Sequence, residues 1–224
     1  MRRKMSITVS SINSFFRRSC PILPFLVVAW CAGGCSIPIT EQARKSIQSV
    51  SIDKNVTIPG NISYTGRTRS VPALMGGIVG AVATAVEHAS AESALVAAMQ
   101  RGQIDVAQIV REQFAAELGK AGIFPSIVPE GGDARVELEV RMFGFGATWA
   151  FSTELRPTIG VNATLVRKDG SVVWQRYEYV TSFNGETPKH WIEEYLETPD
   201  LIRRGFESVA KLVAAALVDD MRKG

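Results

Sequence analysis

Three cysteines, two histidines and a short run of glycines are the residues with which this 224-residue chain could do chemistry. Cys20, Cys31 and Cys35 all lie near the amino terminus. Cys31 and Cys35 could be read as a loose metal or redox pair, but both adjoin an uncharged apolar run that reads better as an export segment. His88 and His190 are the only histidines. Glu186, His190 and Glu194 are spaced by four. A helix there would set an imidazole between two carboxylates on one face, enough to hold a divalent ion weakly. There is no His-Glu-x-x-His pattern, however, and charged helix faces are usually just solvated. Nor is there a Gly-x-Ser-x-Gly elbow, and Gly76-Gly77-Ile78-Val79-Gly80 lacks the Lys-Ser/Thr that completes a phosphate loop. The expectation is a non-enzyme with no catalytic residue, no metal and no cofactor.

The leader is more specific. Arg2, Arg3, Lys4, Arg17 and Arg18 make the start positive, and no acidic residue precedes Cys35. The uncharged run from Pro21 to Trp30 is shorter than the roughly 20 residues that span a bilayer as a helix. A basic start, a short apolar middle and small residues at the end form a signal peptide, with the arginines held on the cytosolic side. Ala32-Gly33-Gly34-Cys35 resembles the lipobox of bacterial lipoproteins, departing from it at Ala32, where that family usually has a larger aliphatic residue. The resemblance implies lipid attachment at the Cys35 thiol, cleavage after Gly34, and acylation of the new amino terminus. Several acyl chains anchor firmly, since each buried methylene contributes about 0.8 kcal/mol. Ser36 follows the cysteine. In Gram-negative lipoproteins an aspartate there retains the protein at the inner membrane, so the resemblance implies the outer membrane, on its periplasmic face.

Removing residues 1–34 changes the charge. The formal +3 of the whole chain becomes −2, with 20 basic residues against 22 acidic ones. A near-neutral domain lacks the basic footprint of a nucleic-acid binder. Hydrophobic residues at 46% and charged residues at 21% suit a globular domain.

Two stretches are candidates for interaction. Gly76, Gly77 and Gly80 lie in an apolar Gly/Ala-rich segment, residues 71–86. Small residues four apart let helices approach closely, either in simple packing or in a self-association or membrane-touching face. Phe143, Phe145 and Trp149 form an aromatic run with Gly144 and Gly146. The run is either an exposed patch that docks an envelope partner or a β-bulge with its rings in the core. Trp191 and Tyr195 carry the same two readings.

The elements that must position these residues follow from periodicity. Val50 and Ile52, then Val56 and Ile58, suggest one or two strands ending at Pro59-Gly60. Residues 104–119 read as an amphipathic helix with Ala107, Val110, Phe114 and Leu118 on its inner stripe. Residues 134–142 alternate as a half-buried strand, followed by strands over 156–167 and 172–181 about a Lys168-Asp169-Gly170-Ser171 turn. Residues 201–221 close the chain as a helix. The expected fold is α+β, an antiparallel β-meander sheet with helices packed on one face. Residues 1–34 form the leader, 35–46 a tether and 47–224 a single domain. Fully extended, ten tether residues reach about 35 Å.

In element order and lipidation the domain resembles small envelope lipoproteins of proteobacteria, including transport-auxiliary and curli-secretion lipoproteins. That resemblance implies an accessory or binding module whose partners are the membrane, through lipid, and an envelope protein. Self-assembly into a structural or secretion component through residues 71–86 is the alternative. Treatment with a chelator is expected to leave thermal unfolding unchanged, and a fall in Tm would reveal a bound ion.

Overall fold

A computed structural model describes residues 36–66, 83–149 and 152–223, with 83–90 as backbone only. Among these, a seven-stranded sheet carries helices on one face. Its centre is the antiparallel pair β4 (Ala134–Ala147) and β5 (Glu154–Arg167), each 14 residues long. β6 (Val172–Val180) extends the pair on the β5 side, across a turn whose Gly170 sits at φ +84°, a conformation glycine adopts without strain.

Strict alternation explains why these segments become strands. Ala134, Val136, Leu138 and Val140 are buried, while Arg135, Glu137, Glu139 and Arg141 lie on the other face. Directly opposite Val136, Leu138 and Val140 stand Leu165, Ala163 and Val161, all buried, and buried Ile159 follows opposite Phe143. The face they make is covered chiefly by α5 (Pro199–Lys223), where Ile202, Phe206, Val209, Val213, Leu217 and Met221 repeat at helical spacing. Proline suits the first turn, whose N–H groups have no partner within the helix. α3 (Val106–Ala121) packs against α5 through Val110, Phe114 and Leu118. The Asp105 carboxylate accepts from the Gln108 N–H at 3.0 Å to start α3, and Gly122 at φ +58° ends it. The backbone of α2 (Ala83–Arg101) overlaps the Gly/Ala-rich segment only at residues 83–86, and residues 71–82 fall outside the described residues.

Two expectations are corrected. The sheet is mixed rather than a pure antiparallel meander. β1 (Ser49–Ile52) and β2 (Ser63–Thr65) both pair with β4 in parallel, and β3 (Ser126–Ile127) pairs in parallel with β1. Short strands distant in sequence reach the free edge of β4 by long connections, and alternation alone carries no sign of strand direction. The second strand expected at 56–58 reduces to a bridge of Thr57 with Glu139.

Nor are residues 36–46 a tether. Ile37 exchanges two backbone hydrogen bonds with Gln175 on β6, both 2.9 Å, and Ile39 is buried. The Thr40 hydroxyl then caps α1 (Glu41–Ser46) by accepting from the Ala43 N–H. Arg44 donates to the Arg222 carbonyl, and Arg167 to the Ser46 hydroxyl. Apolar Ile37 and Ile39, together with a good cap at Thr40, are what fasten the segment down.

Asp133 locks the start of β1 to the start of β4. Its Oδ2 accepts the Gln48 and Ser49 N–H groups at 3.1 and 3.0 Å, and its own N–H donates to the Ser49 hydroxyl. The Gln48 N–H first, then the Ser49 hydroxyl and N–H, favour the carboxylate and hold its pKa below the ordinary range. A carboxyl group depressed on folding adds stability above its unfolded pKa, about 3.9. That stability drains away as pH falls through the lower folded value. Asp133→Asn should therefore shift the urea midpoint downward at neutral pH, and the gap from wild type should narrow as pH falls through the depressed folded pKa of Asp133.

Candidate functional site

The candidate residues separate into three groups. Cys35, Gly76, Gly77 and Gly80 lie outside the described residues. Phe143 and Phe145 are inside the core, and Trp149 stands at the exposed tip of the β4–β5 connection.

The placement of the phenylalanines has a definite cause. The β4–β5 register shifts between Val140 and Met142, so the buried face continues at Phe143 and Phe145 instead of Met142. Phe145 meets Phe206 with centroids 5.4 Å apart and Tyr195 at 4.7 Å, while Phe143 meets Phe206 edge-on at 5.9 Å. These rings anchor α5 and the short α4 (Ile192–Glu197) to the sheet. They are therefore no part of an exposed docking patch. The glycine between them is equally constrained: a Cβ at Gly144 would run into the Ser63 carbonyl, because β2 lies directly against it. Tyr195 is also internal, and its phenol, donating to the Leu155 carbonyl at 3.4 Å, is pushed to a much higher pKa by burial.

Glu186, His190 and Glu194 do not share a helix face. His190 belongs to β7 (His190–Trp191), which pairs with β5, and the helix begins only at Ile192. His190 Nδ1 lies 3.2 Å from the Glu194 carboxylate, which also accepts the Trp191 N–H at 3.0 Å as a helix cap. The Glu186 N–H donates to Asn184 Oδ1 in the preceding loop. Among the described residues, no group of three histidine, cysteine or acidic side chains is placed to hold a metal ion.

What remains is a surface that periodicity passed over. The sheet face away from α5 presents Glu137, Glu139, Arg141 and Met142 on β4. Thr164, Asn162 and Gly160 stand opposite on β5, with Gln175, Tyr177 and Tyr179 on β6. Tyr177 lies across Gly160, where a Cβ would collide with its hydroxyl. Towards the far end of this face, Ser182 folds onto Gly146, and Arg156 donates to the Asn184 carbonyl at 2.8 Å. Phe183 stands between them in sequence and is 72% exposed, and Trp191, opposite Glu154, is 51% exposed. Tyr177, Tyr179, Phe183, Trp191 and Trp149 are all the exposed large aromatics among the described residues; register puts Tyr177, Tyr179 and Trp191 on this face, and Phe183 follows β6 in the connection to β7.

Ser36 borders the same face. With Arg141, Asn162, Gln175, Arg176 and Tyr177 it lines a hollow of about 520 Å³. A second, more apolar hollow of about 400 Å³ lies between Ile58, Ile62, Val96, Met99, Ile104 and Phe143.

No family model matches this chain. No curated protein matches it. Two solved structures are weakly similar. A Xanthomonas campestris protein of family DUF330 shares 14% identity over 77% of this chain and 81% of its own, with a TM-score of 0.43. A PelC dodecamer from Paraburkholderia phytofirmans shares 18% identity over 78% and 86%, with a TM-score of 0.33. Likeness at that level carries nothing about function to this chain.

The two kinds of aromatic should respond differently to truncation. Phe145→Ala should lower unfolding free energy by about 3–5 kcal/mol, the cost of a large core cavity. Trp149→Ala, at a side chain more than half exposed, should cost distinctly less. Chemical denaturation of both variants checks the contrast.

Proposed function

We propose that this chain is the precursor of a bacterial lipoprotein whose mature domain works at the cell envelope as a non-enzymatic accessory or binding module. Lipid on Cys35 holds it to the outer membrane, facing the periplasm. The leader supports the reading with its basic start, short apolar run and lipobox-like Ala32-Gly33-Gly34-Cys35.

The observation that carries it is that small-residue run ending in Cys35 directly behind the uncharged apolar segment. Ile37, two residues further on, pairs with Gln175 on β6.

The non-enzymatic part rests on the character of the polar groups. Titration shifts among the described residues follow surface pairs such as Glu130 with Lys54 and Asp219 with Lys223, local hydrogen bonds, as at Asp133, or burial, as at Tyr195. Active sites instead tend to gather shifted groups in one cleft.

Metabolic labelling with a clickable fatty acid tests the anchor. Wild type should carry the label and fractionate with membranes after cleavage. Cys35→Ala should carry none, keep its leader and lose the amino-terminal acyl chain. Unlabelled wild type would refute lipidation and with it the envelope role.

A further inference from the structure

We infer that the mature domain lies directly on the bilayer, with Tyr177, Tyr179, Phe183 and Trp191 set in the uncharged-overall headgroup layer of zwitterionic lipid. The inference rests on lipidation at Cys35 and deepens it, because the attachment point also fixes which face of the domain meets the membrane.

Slack is the first consideration. A free ten-residue linker would let the domain stand off and turn. Here the chain is fastened from Ile37 onward by the Gln175 pairing, the buried Ile39 and the capped α1. Adjacent Cα atoms are about 3.8 Å apart, so a lipidated residue 35 cannot stray far from Ser36. Ser36, the neighbour of that residue, is at the sheet edge.

Direction is the second. Ile37 and Gln175 pair antiparallel, so the chain running back from Ile37 travels along β6 in the sense of rising β6 numbers, towards Tyr177. Ser36 and Tyr177 accordingly border the same hollow. From Tyr177 the exposed aromatics continue along the strand to Tyr179, then to Phe183 and Trp191 at the end of the sheet. The stripe begins where the lipid would be attached.

Chemistry is the third. Tyrosine and tryptophan combine an apolar ring with a polar tip, which is why they collect at membrane–water interfaces. Three basic groups beside them are matched, Arg141 with Glu139 at 3.1 Å, Arg135 with Glu137, and Lys189 with Glu154 at 2.7 Å, while Arg156 donates to the Asn184 carbonyl. A polybasic surface would seek anionic lipid. This one has no such charge excess, so the rings must supply the attraction and zwitterionic lipid suffices.

The test uses mature lipidated protein, extracted in mild detergent and reconstituted into phosphatidylcholine vesicles with bromine near the headgroup end of the acyl chains. In a Trp149→Phe background the emitters are Trp191 and the fully buried Trp174, so Trp191 reports contact. Bromolipid should quench the emission, and quenching should be lost in Trp191→Phe. It should persist at about 1 M salt, where the Debye length is only about 3 Å. Tyr177→Ser with Tyr179→Ser should weaken quenching while flotation with vesicles is retained.

Protein that floats with vesicles but whose Trp191 is not quenched overturns the membrane-facing orientation and leaves the lipoprotein reading intact. Trp191 shielded from iodide yet unquenched by bromolipid also overturns it, because a second copy or another protein then covers the face. Failure to float, with no acyl label, removes the lipoprotein reading and this orientation with it.

Discussion

A two-stranded pair 14 residues long has two faces, and among the described residues helices cover only one. Alternation in β4 and β5 decides which. Val136, Leu138, Val140, Ile159, Val161 and Leu165 go under α5, where burying each such side chain is worth about 1.5–3 kcal/mol. Glu137, Glu139, Asn162 and Thr164 are thereby committed to the other side. Nearly everything else is an accommodation to that division. The register shift at Val140/Met142 keeps Phe143 and Phe145 on the helix side as the strands lengthen. Gly205 lets α5 settle close to Pro157, where a Cβ would stand 3.2 Å from the ring.

The outer face is not left bare. Its charges are paired along β4 itself, Arg135 with Glu137 and Arg141 with Glu139, each two residues apart and so on the same side of the strand. Exposed pairs of this kind contribute little stability. Their effect is to make the face neutral over short distances, which leaves the aromatic rings of β6 as its most distinctive chemical character. Tyr177 over Gly160 shows the same economy: the glycine leaves room for a ring that would otherwise stand further into solvent.

Long periodic segments were legible in the amino-acid sequence. α3, α5 and the three long strands lie within a few residues of the periodicity that foretells them, because each buries one stripe and period alone reports that. The parallel partners of β4 were not legible. β2 and β3 have three and two residues, too few to carry a period, and strand direction depends on how long connections run. The aromatic run at 143–151 was legible as important but ambiguous, since a one-residue shift exchanges inside for outside. Tyr177 and Tyr179 were visible only as β-formers. Their exposure follows from Trp174, which donates its indole N–H to Asp220 on α5 and so assigns the odd-numbered residues after it to the opposite face. Ile37 and Ile39 looked like part of a polar linker, yet two isoleucines spaced by two and followed by a threonine cap are what an edge strand entering a helix needs.

The clasp between Ser49 and Asp133 joins residues 84 apart in the chain. A chain delivered amino terminus first must therefore carry β1 past the exit without either of its sheet partners, until β3 and then β4 follow. Contacts this remote close late, since the intervening loop must be gathered before they reward it. Through that interval the edge chemistry of β1 is open to any passing strand. The order in which β1, β3 and β4 emerge is thus a constraint on how this domain folds, separate from the stability it finally reaches.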